Sequence, residues 1–463
     1  MDSGDNAALT TLVKPIEEKF MKYKVIGKTK QKRRLDVVYI GDMRNPKLKV
    51  FVLAGQHGDE KGSRQSAVRL IEHLMRTKEF PDICVGVLSN ANPDGAFRNK
   101  RRTAAGIDLN RDHLLLMSEE NRIVHSFIQT WKPDVVIDVH NYPPTREYLE
   151  KSNHVFHHDV LIDGATNPSV TKKLDADQLG DLLSHVQSDL DKSGYSCDRY
   201  VFISTNGRAR HSTDDIVDAR NFLSLRHNVL TILVEGKEPL PGEDKDQQLE
   251  RSVSAQCLAL VSTLKWITQN EPNMLENPPA NEKENKSRVS IRYNYNKSEK
   301  PFKMSFLNTI SNEVEEVVIP TYESSLRATR TVKMPYAYAV PATKDKLLGV
   351  LHSHGFTSAR PDTPEPCKVQ RYLIVESESS ESPETKGKPR PPTNVRLISV
   401  EEKKDLSGYA IFETSQEGGR SLPLLLEPQS EYGFARYKEL DLDITPTQSY
   451  DILRVIDKKF KGA

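Results

Sequence analysis

Three residues of types that bind divalent metal ions stand where a fold could bring them together. His57 and Glu60 lie three positions apart in the segment Gly55–Glu60, which follows the apolar run KVFVLA. That spacing puts an imidazole and a carboxylate on the same side of a turn or of a first helical turn. His140 follows the apolar run Val135–Val139. Two histidines and one glutamate, with water in the fourth position, form an open catalytic zinc site, so we predict a Zn²⁺ site here.

Each part of this pattern also has an ordinary structural explanation. An isolated His-x-x-Glu pair occurs often by chance, and a histidine that ends an apolar strand is commonly a structural residue. The glycines at 55 and 58 favour the metal-binding interpretation, because they let the backbone bend and leave the imidazole of His57 accessible at the end of a strand.

Candidate anion-binding residues lie between the predicted ligands. The turn signal Asn92–Gly95 is followed by Arg101 and Arg102, and then by Gly106–Arg111 with the sequence GIDLNR. The planar fork of arginine suits a carboxylate, and fixed cations near a metal provide separate positions for a substrate anion and for an oxyanion. One of the two adjacent arginines could equally lie in a solvated loop.

The first part of the chain alternates short apolar runs with amphipathic stretches. The predicted strands are Val37–Ile40, Lys49–Leu53, Ile83–Leu88, Val135–Val139 and Leu230–Val234. The predicted helices cover roughly Lys61–Met75, a stretch after an N-cap at Ser118, and Gln247–Trp266. This alternation predicts an α/β fold with a mixed, largely parallel sheet and helices on both faces. Ligands of such sheets lie beyond the carboxyl ends of the strands, where the candidate metal ligands stand.

The composition changes after the predicted third helix. Residues 271–288 are polar and rich in proline, which predicts a linker between a domain at 1–270 and a second domain at 289–463. The second domain is predicted to be mainly β with a helix near Lys344–His352, and residues 376–394 are predicted to form a mobile loop within it. The predicted strands are Val289–Tyr295, Glu316–Ile319, Tyr336–Val340, Tyr372–Val375, Val395–Val400 and Tyr409–Phe412.

The overall composition excludes several classes of function. Lys and Arg number 66 and Asp and Glu 65, so the net charge of +1 argues against nucleic acid and acidic membrane surfaces as partners. No apolar run approaches the length of a membrane span, and the first residues lack the pattern of a secretory signal. The four cysteines are far apart and form no C-x-x-C motif, which favours a reducing cytoplasm. The oligomeric state is left open.

The order of these motifs resembles the zinc carboxypeptidase family, the carboxypeptidase A-like metallopeptidases, over roughly residues 35–265. The segments RDHLLLMSEENR and LLLEPQSEYGFARY also resemble a microbial branch with an added C-terminal β-rich domain. The resemblance implies a zinc-dependent exopeptidase-like fold. It implies that His57, Glu60 and His140 bind zinc, and that Asn110 and Arg111 hold the terminal carboxylate of the substrate.

The resemblance also implies roles for residues outside the ligand set. Arg101 would polarise the scissile carbonyl, with Arg102 as the alternative, and Glu235 at the end of the run LTILVEG would be the general base. Arg220 stands near the position that selects the substrate side chain and would favour acidic C-terminal residues, although a loop salt bridge explains it equally well. The family's tyrosine is missing from 210–214, so Tyr195 or Tyr200 fills that role or the role is absent.

The expected function is therefore that of a metallocarboxypeptidase that hydrolyses the C-terminal bond of peptides. A second interpretation is an N-acyl amino acid deacylase similar to aspartoacylase or succinylglutamate desuccinylase, which would act on small acylated amino acids. A hydrolase of cell-wall peptides and a non-catalytic binding protein are further alternatives. The Asn92–Gly95 turn and the arginines that follow it favour the peptidase.

Overall fold

The computed structural model describes residues 20–170, 173–213, 215–240, 242–276, 287–360, 366–377, 395–442 and 444–457. Its helices are α1 (Lys61–Thr77), α2 (Pro93–Phe97), α3 (Glu119–Trp131), α4 (Glu147–Glu150), α5 (Ala176–Asp191), α6 (Ala219–His227), α7 (Lys245–Glu276), α8 (Asp345–Ser353) and α9 (Leu422–Leu426). Short 3-10 turns lie at Leu109–Arg111, Gly419–Ser421, Phe434–Arg436 and Lys438–Leu440.

The strands in chain order are β1 (Met21–Lys28), β2 (Arg34–Gly41), β3 (Lys49–Ala54), β4 (Cys84–Leu88), β5 (Val135–Tyr142), β6 (His154–Val155), β7 (Val160–Gly164), β8 (Cys197–Arg199), β9 (Phe202–Ile203), β10 (Arg208–Arg210), β11 (Leu230–Lys237), β12 (Arg288–Lys297), β13 (Phe302–Asn308), β14 (Val314–Ile319), β15 (Thr321–Lys333), β16 (Ala337–Pro341), β17 (Cys367–Ser377), β18 (Val395–Lys404), β19 (Tyr409–Glu413) and β20 (Leu453–Val455).

A mixed eight-stranded sheet forms the centre of the first part of the chain, in the order β1-β2-β4-β3-β5-β11-β7-β8. The pairs β3–β4, β3–β5, β5–β11 and β7–β8 are parallel, and the other neighbouring pairs are antiparallel. The predicted α/β class with a mixed, largely parallel sheet is therefore confirmed. The three innermost parallel strands, β3, β5 and β11, are those that precede or carry the predicted site residues.

Helices cover both faces of this sheet. Val50 and Val52 of β3 pack in one apolar cluster with α1, α5 and α7, whereas Phe51 and Leu53 of the same strand pack in another with α3 and α6. A strand buried on both faces has no polar side to show, which explains the continuous apolar run in its sequence. Ser118 caps α3 as predicted, since its side chain accepts a hydrogen bond from the backbone N–H of Asn121.

The second half of the chain is rich in antiparallel β structure, and it is joined to the first half through shared sheets. Strands β9 and β10 pair in one sheet with β12 and β15, and β6 pairs with β13 in another. A further five-stranded sheet has the order β18-β17-β20-β16-β19. The short strands β6, β9 and β10 carry too few residues to show an alternating pattern, so the sequence did not indicate this joining of the two halves.

The predicted linker starts inside a helix. Helix α7 continues to Glu276 and β12 begins at Arg288, so residues 271–276 are helical. Residues 277–286 of that linker and residues 378–394 of the predicted loop lie outside the described residues. The observed helix thus reaches ten residues past Trp266, where the predicted helix ended. No helix in the described part of the chain is long and apolar enough to cross a membrane.

Candidate metal centre and its cavity

The candidate metal ligands lie at the carboxyl end of the three innermost parallel strands. His57 and Glu60 follow β3, and His140 lies near the end of β5. In the register of the sheet, Ala54 of β3 is the partner of Val139, and Glu235 of β11 is the partner of His140. The parallel arrangement therefore brings together residues that are separated by 80 and more positions in the sequence.

The ligand atoms of His57, Glu60 and His140 all lie within 4.8 Å of one another. The Nδ1 atom of His57 is 2.5 Å from Glu60 Oε1, and the Nδ1 atom of His140 is 3.1 Å from Glu60 Oε2. All three side chains are buried. Among the described residues, this is the one group of histidine, cysteine and carboxylate side chains that is close enough to hold an ion. The predicted convergence of the three residues is thus observed.

Each histidine is oriented from behind by a second carboxylate. The Nε2 atom of His57 is 3.1 Å from Asp108 Oδ1, and the Nε2 atom of His140 is 3.0 Å from Asp138 Oδ1. Carboxylate partners on the far nitrogen fix the ring and its tautomer and are typical of metal-binding histidines. Asp108 lies in the GIDLNR segment and Asp138 stands two residues before His140, so proximity to the motifs was the signal that could have identified them.

The buried charges shift one another's pKa values strongly. Burial alone would raise the pKa of Glu60, but His57 and His140 outweigh it and hold that pKa far below its ordinary value. Burial likewise would lower the pKa of His140, but Asp138 and Glu60 raise it well above its ordinary value. The electrostatic attraction between the two imidazoles and Glu60 thus favours positive charge next to this carboxylate. A divalent cation would supply the same positive charge to the carboxylate.

Arg101 and Arg102 have different surroundings in the structure. The Nε atom of Arg101 donates to Asp108 Oδ2 at 2.9 Å, and its Nη1 atom lies 3.7 Å from Glu60 Oε1. Arg102 is exposed and donates to the backbone oxygen of Gly106, and it is not among the described residues that line the cavity. The alternative placement of Arg102 as a substrate-binding residue stays a prediction, and the observed side chain points to its own loop and to solvent.

A cavity of about 280 Å³ lies in front of the three ligands. The predicted residues that line it are His57, Glu60, Arg101, Asn110, Arg111, His140, Arg220 and Glu235. The structure adds cationic and aromatic residues that the sequence analysis did not name, namely Arg146, Phe202 and Arg210. Of the two tyrosines that the sequence offered, Tyr200 lines the cavity, whereas Tyr195 packs against the apolar cluster around α5 and α7.

Asn110 and Arg111 stand side by side at the wall of this cavity. Asn110 Oδ1 accepts from the backbone N–H of Ala219 at 2.8 Å, which fixes the orientation of its amide. Burial would lower the pKa of Arg111, but Asp215, Asp218 and Asp108 raise it above its ordinary value, so this guanidinium stays charged. Its Nη1 atom donates to the backbone oxygen of Asn110 at 2.6 Å.

Arg220 is buried and already has anionic neighbours. Its Nη1 atom lies 3.4 Å from Asp163 Oδ2 and its Nε atom 4.0 Å from Asp218 Oδ2. Its guanidinium carbon lies 5.7 Å from the centre of the Tyr200 ring. Arg146, by contrast, has hydrogen bonds only to the backbone oxygens of Pro143 and Thr145 among the described residues.

Glu235 is a half-buried acid in the cavity lining, on the strand next to that of His140. Burial raises the pKa of Glu235 above its ordinary value; His140 opposes that rise, whereas Glu60 and Asp138 add to it. A carboxylate with a raised pKa is a stronger base than a solvated one, which suits the uptake of a proton from water.

An α/β sheet that carries a buried His–Glu–His cluster in front of an arginine-lined cavity defines a candidate mononuclear metal protein. Residues 10–134 match the family model described as zinc carboxypeptidase, so this part of the chain is similar to that family. The matched residues include His57, Glu60 and Arg111. His140 and Glu235 lie beyond the match, and they reach the same site through β5 and β11.

Curated relatives carry the same family name. The chain is 25% identical over 235 residues to carboxypeptidase 2 of Trichophyton rubrum, which covers 46% of this chain and 42% of that protein. It is 24% identical over 222 residues to a probable carboxypeptidase 2 of Arthroderma benhamiae, which covers 44% of this chain and 40% of that protein. The chain thus spans about two fifths of the length of these relatives.

The solved structures that this chain matches include two bacterial metallo-carboxypeptidases. The Pseudomonas aeruginosa protein, in complex with (2-guanidinoethylmercapto)succinic acid, has 24% identity and a TM-score of 0.44, and the match covers 57% of this chain and 68% of that chain. The Burkholderia cenocepacia protein has 19% identity and a TM-score of 0.44, with the same coverage of 57% and 68%.

Proposed function

We propose that this protein is a zinc-dependent metallocarboxypeptidase that hydrolyses the C-terminal bond of peptides. The observation that carries the proposal is the convergence of His57, Glu60 and His140 in a cavity that also holds Glu235 and Arg111. The cavity thus contains a ligand set for a divalent ion, a carboxylate that can act as a base, and a guanidinium that can bind a carboxylate of the substrate.

The donor set fits zinc. Two imidazole nitrogens and one carboxylate are a known catalytic zinc arrangement, and each imidazole has a carboxylate on its far nitrogen. The three side chains enclose no sulfur ligand, since all four cysteines are buried elsewhere as free thiols. His57, Glu60 and His140 would hold the ion.

Glu235 is proposed as the general base and acid. When bound, zinc would polarise the scissile carbonyl and lower the pKa of water at the site. Glu235 accepts the proton of the attacking water and later gives it to the leaving amine, so that one carboxylate serves both halves of the reaction. Its position beside His140 in the sheet keeps this carboxylate next to the ligand set.

The arginines are proposed to bind the substrate and its developing charge. Arg101 reaches the ligand set from the side, where its guanidinium stabilises negative charge on the carbonyl oxygen. Arg111 and Asn110 hold the terminal carboxylate, and this contact selects a free chain end over an internal peptide bond. Tyr200, next to Arg220, closes the same cavity.

Arg220 is proposed to favour substrates with an acidic C-terminal side chain. Its two ion pairs of 3.4 and 4.0 Å leave part of the guanidinium facing the cavity. Arg146 forms no ion pair within the described part of the chain, and its charge adds to the attraction for an anionic substrate.

The test is turnover of a peptide library that varies the C-terminal residue, with and without a chelator. The expected product is a free C-terminal amino acid, released only by the metal-loaded protein. Release of acetate or succinate from acylated amino acids would contradict the proposal in favour of a deacylase. Binding of peptides without any turnover would contradict it in favour of a non-catalytic protein.

We also propose a reducing, cytoplasmic location. The four cysteines are buried free thiols in four different elements, and no pair is joined by a disulfide. Thiols in this state are typical of proteins from reducing compartments. Cell fractionation that finds the protein in an oxidising compartment would contradict this location.

A further inference from the structure

A chain of buried histidines leads from the interior of the molecule to the candidate metal centre. His227 Nε2 lies 3.0 Å from His125 Nδ1, His125 Nε2 lies 3.1 Å from His113 Nδ1, and His113 Nε2 lies 2.8 Å from Gln56 Oε1. His113 and His125 are fully buried, and His227 is 8% exposed. The residues come from three separate segments, yet each ring meets the next through its ring nitrogens.

The hydrogen bonds of this histidine chain all run in one donor-to-acceptor direction. Gln56 Nε2 donates to Asp138 Oδ1 at 2.7 Å, and a carboxylate can only accept, so Gln56 Oε1 must accept the N–H of His113. In a neutral ring the other nitrogen is then an acceptor. His113 therefore accepts from His125, and His125 accepts from His227, so all three rings carry their proton on Nε2.

The rings are held neutral by their surroundings. Burial lowers the pKa of His113 to about 4, and it lowers the pKa of His125 and of His227 well below the ordinary value. A neutral imidazole donates through one nitrogen and accepts through the other, so a row of neutral rings can form an unbroken series of hydrogen bonds.

The histidine chain leads, through Gln56, to Asp138, which is the carboxylate that orients the candidate ligand His140. Gln56 contacts Asp138, and Asp138 Oδ1 is 3.0 Å from His140 Nε2. Gln56 also directly precedes His57 in the sequence. Its side chain is 1% exposed and thus sits between both imidazole ligands and the histidine chain.

A histidine from the second half of the polypeptide packs against these histidine rings. His354, which follows α8, donates through Nε2 to the backbone oxygen of Leu114 at 2.9 Å. Its ring lies 5.4 Å from that of His125 and 5.1 Å from that of Phe222. His354 therefore covers the histidine chain and makes no hydrogen bond within it.

We propose that His113, His125 and His227 are positioning residues for the metal centre. They fix the amide of Gln56, which fixes Asp138 and hence the ring of His140 in the orientation that binds the ion. The proposal rests on the metal site of the proposed function. It gives the β-rich half a role as well, because that half seals the histidine chain from water.

Histidine tautomers provide the first test, and they need neither metal nor a variant. Long-range ¹H–¹⁵N spectra of the protein labelled at histidine distinguish a proton on Nε2 from one on Nδ1. The expected result is the Nε2–H tautomer for His113, His125 and His227. A proton on Nδ1 of His113 or His125 would overturn the proposed chain.

Zinc affinity, measured by competition with a chromogenic chelator, provides the second test. His113→Phe removes both hydrogen bonds and is expected to weaken zinc binding about 10-fold, as loss of an outer-shell partner does. His113→Gln keeps a donor towards Gln56 and is expected to retain part of that affinity. His354→Phe is the matched control, because it removes a buried imidazole that lies outside the hydrogen-bonded chain, and its zinc affinity should stay unchanged.

The outcomes separate the two proposals. Absence of zinc binding by the unaltered protein would overturn the proposed function and this inference with it. Normal zinc binding by the unaltered protein together with equal affinity of His113→Phe would overturn the inference alone. Equal losses in His113→Phe and His354→Phe would also overturn it, because the effect would then follow from burial and not from the hydrogen bonds.

Discussion

At the scale of single residues, the motifs located the ligand set but not the groups that hold it. A strand end and a three-residue spacing are local features, so His57, Glu60 and His140 could be predicted. Asp108 and Gln56 act through contacts between distant segments. Asp138 stands only two residues before His140, but sequence spacing carries no information about which nitrogen of a histidine a carboxylate meets. The same reason left Arg101 and Arg102 undecided until their side-chain directions were known.

The proposed base is tested by Glu235→Gln. We expect kcat to fall about 100-fold to 10,000-fold while zinc binding is retained, because the amide cannot take up a proton. Peptide hydrolysis and zinc content are measured on the same preparation. Glu238→Gln, just beyond the end of the same strand and outside the cavity lining, is the matched control and should turn over normally. Unchanged turnover of Glu235→Gln would show that another residue is the base.

Two adjacent arginines allow a paired test of oxyanion stabilisation. Arg101→Gln is expected to lower kcat about 100-fold to 1,000-fold, since one preorganised donor next to the ligand set is lost. Arg102→Gln should have little effect, because Arg102 is exposed and bonds to its own loop. Steady-state kinetics on one peptide compare the two variants, and equal losses would contradict the assignment.

The charge of the substrate's C-terminal side chain can be varied to test the proposed role of Arg220. Peptides that end in glutamate should be cleaved about 10-fold or more faster than those that end in glutamine, since a charge-assisted hydrogen bond would hold the acidic side chain. In Arg220→Gln this ratio of kcat/KM values should fall towards one. Arg199→Gln is the control, because Arg199 also contacts Asp163, at 3.2 Å, but does not line the cavity. A ratio unaffected by Arg220→Gln would assign that arginine a purely structural role.

At the scale of elements, the strands of the central sheet were predictable and the strands that join the two halves were not. β3, β5 and β11 begin as nearly continuous apolar runs because they are buried on both faces. β6 and β9 have two residues each, and β10 reads Arg-Ala-Arg, so none of them shows a period. β6 and β10 pair with β13 and β15, more than 100 positions away, and β9 joins the sheet through β10. Parallel pairing also explains why His140 and Glu235 become neighbours, since the register fixes them side by side.

At the scale of the whole molecule, the two halves meet over buried histidines, and this interface should make stability depend on pH. Burial lowers the pKa of His354 to about 3, whereas a histidine in the unfolded chain titrates near 6.5. Between these values the unfolded state binds a proton that the folded state does not. The contribution of a neutral His354 is therefore complete above about pH 6.5 and is lost as the pH falls.

Free energies of unfolding, measured at a series of pH values, test whether this contribution is lost as the pH falls. The free energy of unfolding of the unaltered protein, minus that of His354→Phe, should decrease by about 1.4 kcal/mol for each pH unit below 6.5. The reason is that only the unaltered protein has the contribution of a neutral His354 to lose. Urea unfolding at several pH values gives the difference. His352→Phe, at an exposed position of α8, should show a much smaller change. A difference for His354→Phe that is constant from pH 7 to pH 5 would show that this ring is not held neutral by burial.

The most direct measurement of the central claim is an anomalous difference map at the zinc edge, from crystals grown with the metal. The account predicts a peak about 2.0 to 2.2 Å from one nitrogen of His57, one nitrogen of His140 and an oxygen of Glu60, facing the cavity. A peak at another site, or no peak between these three side chains at a saturating zinc concentration, would contradict it.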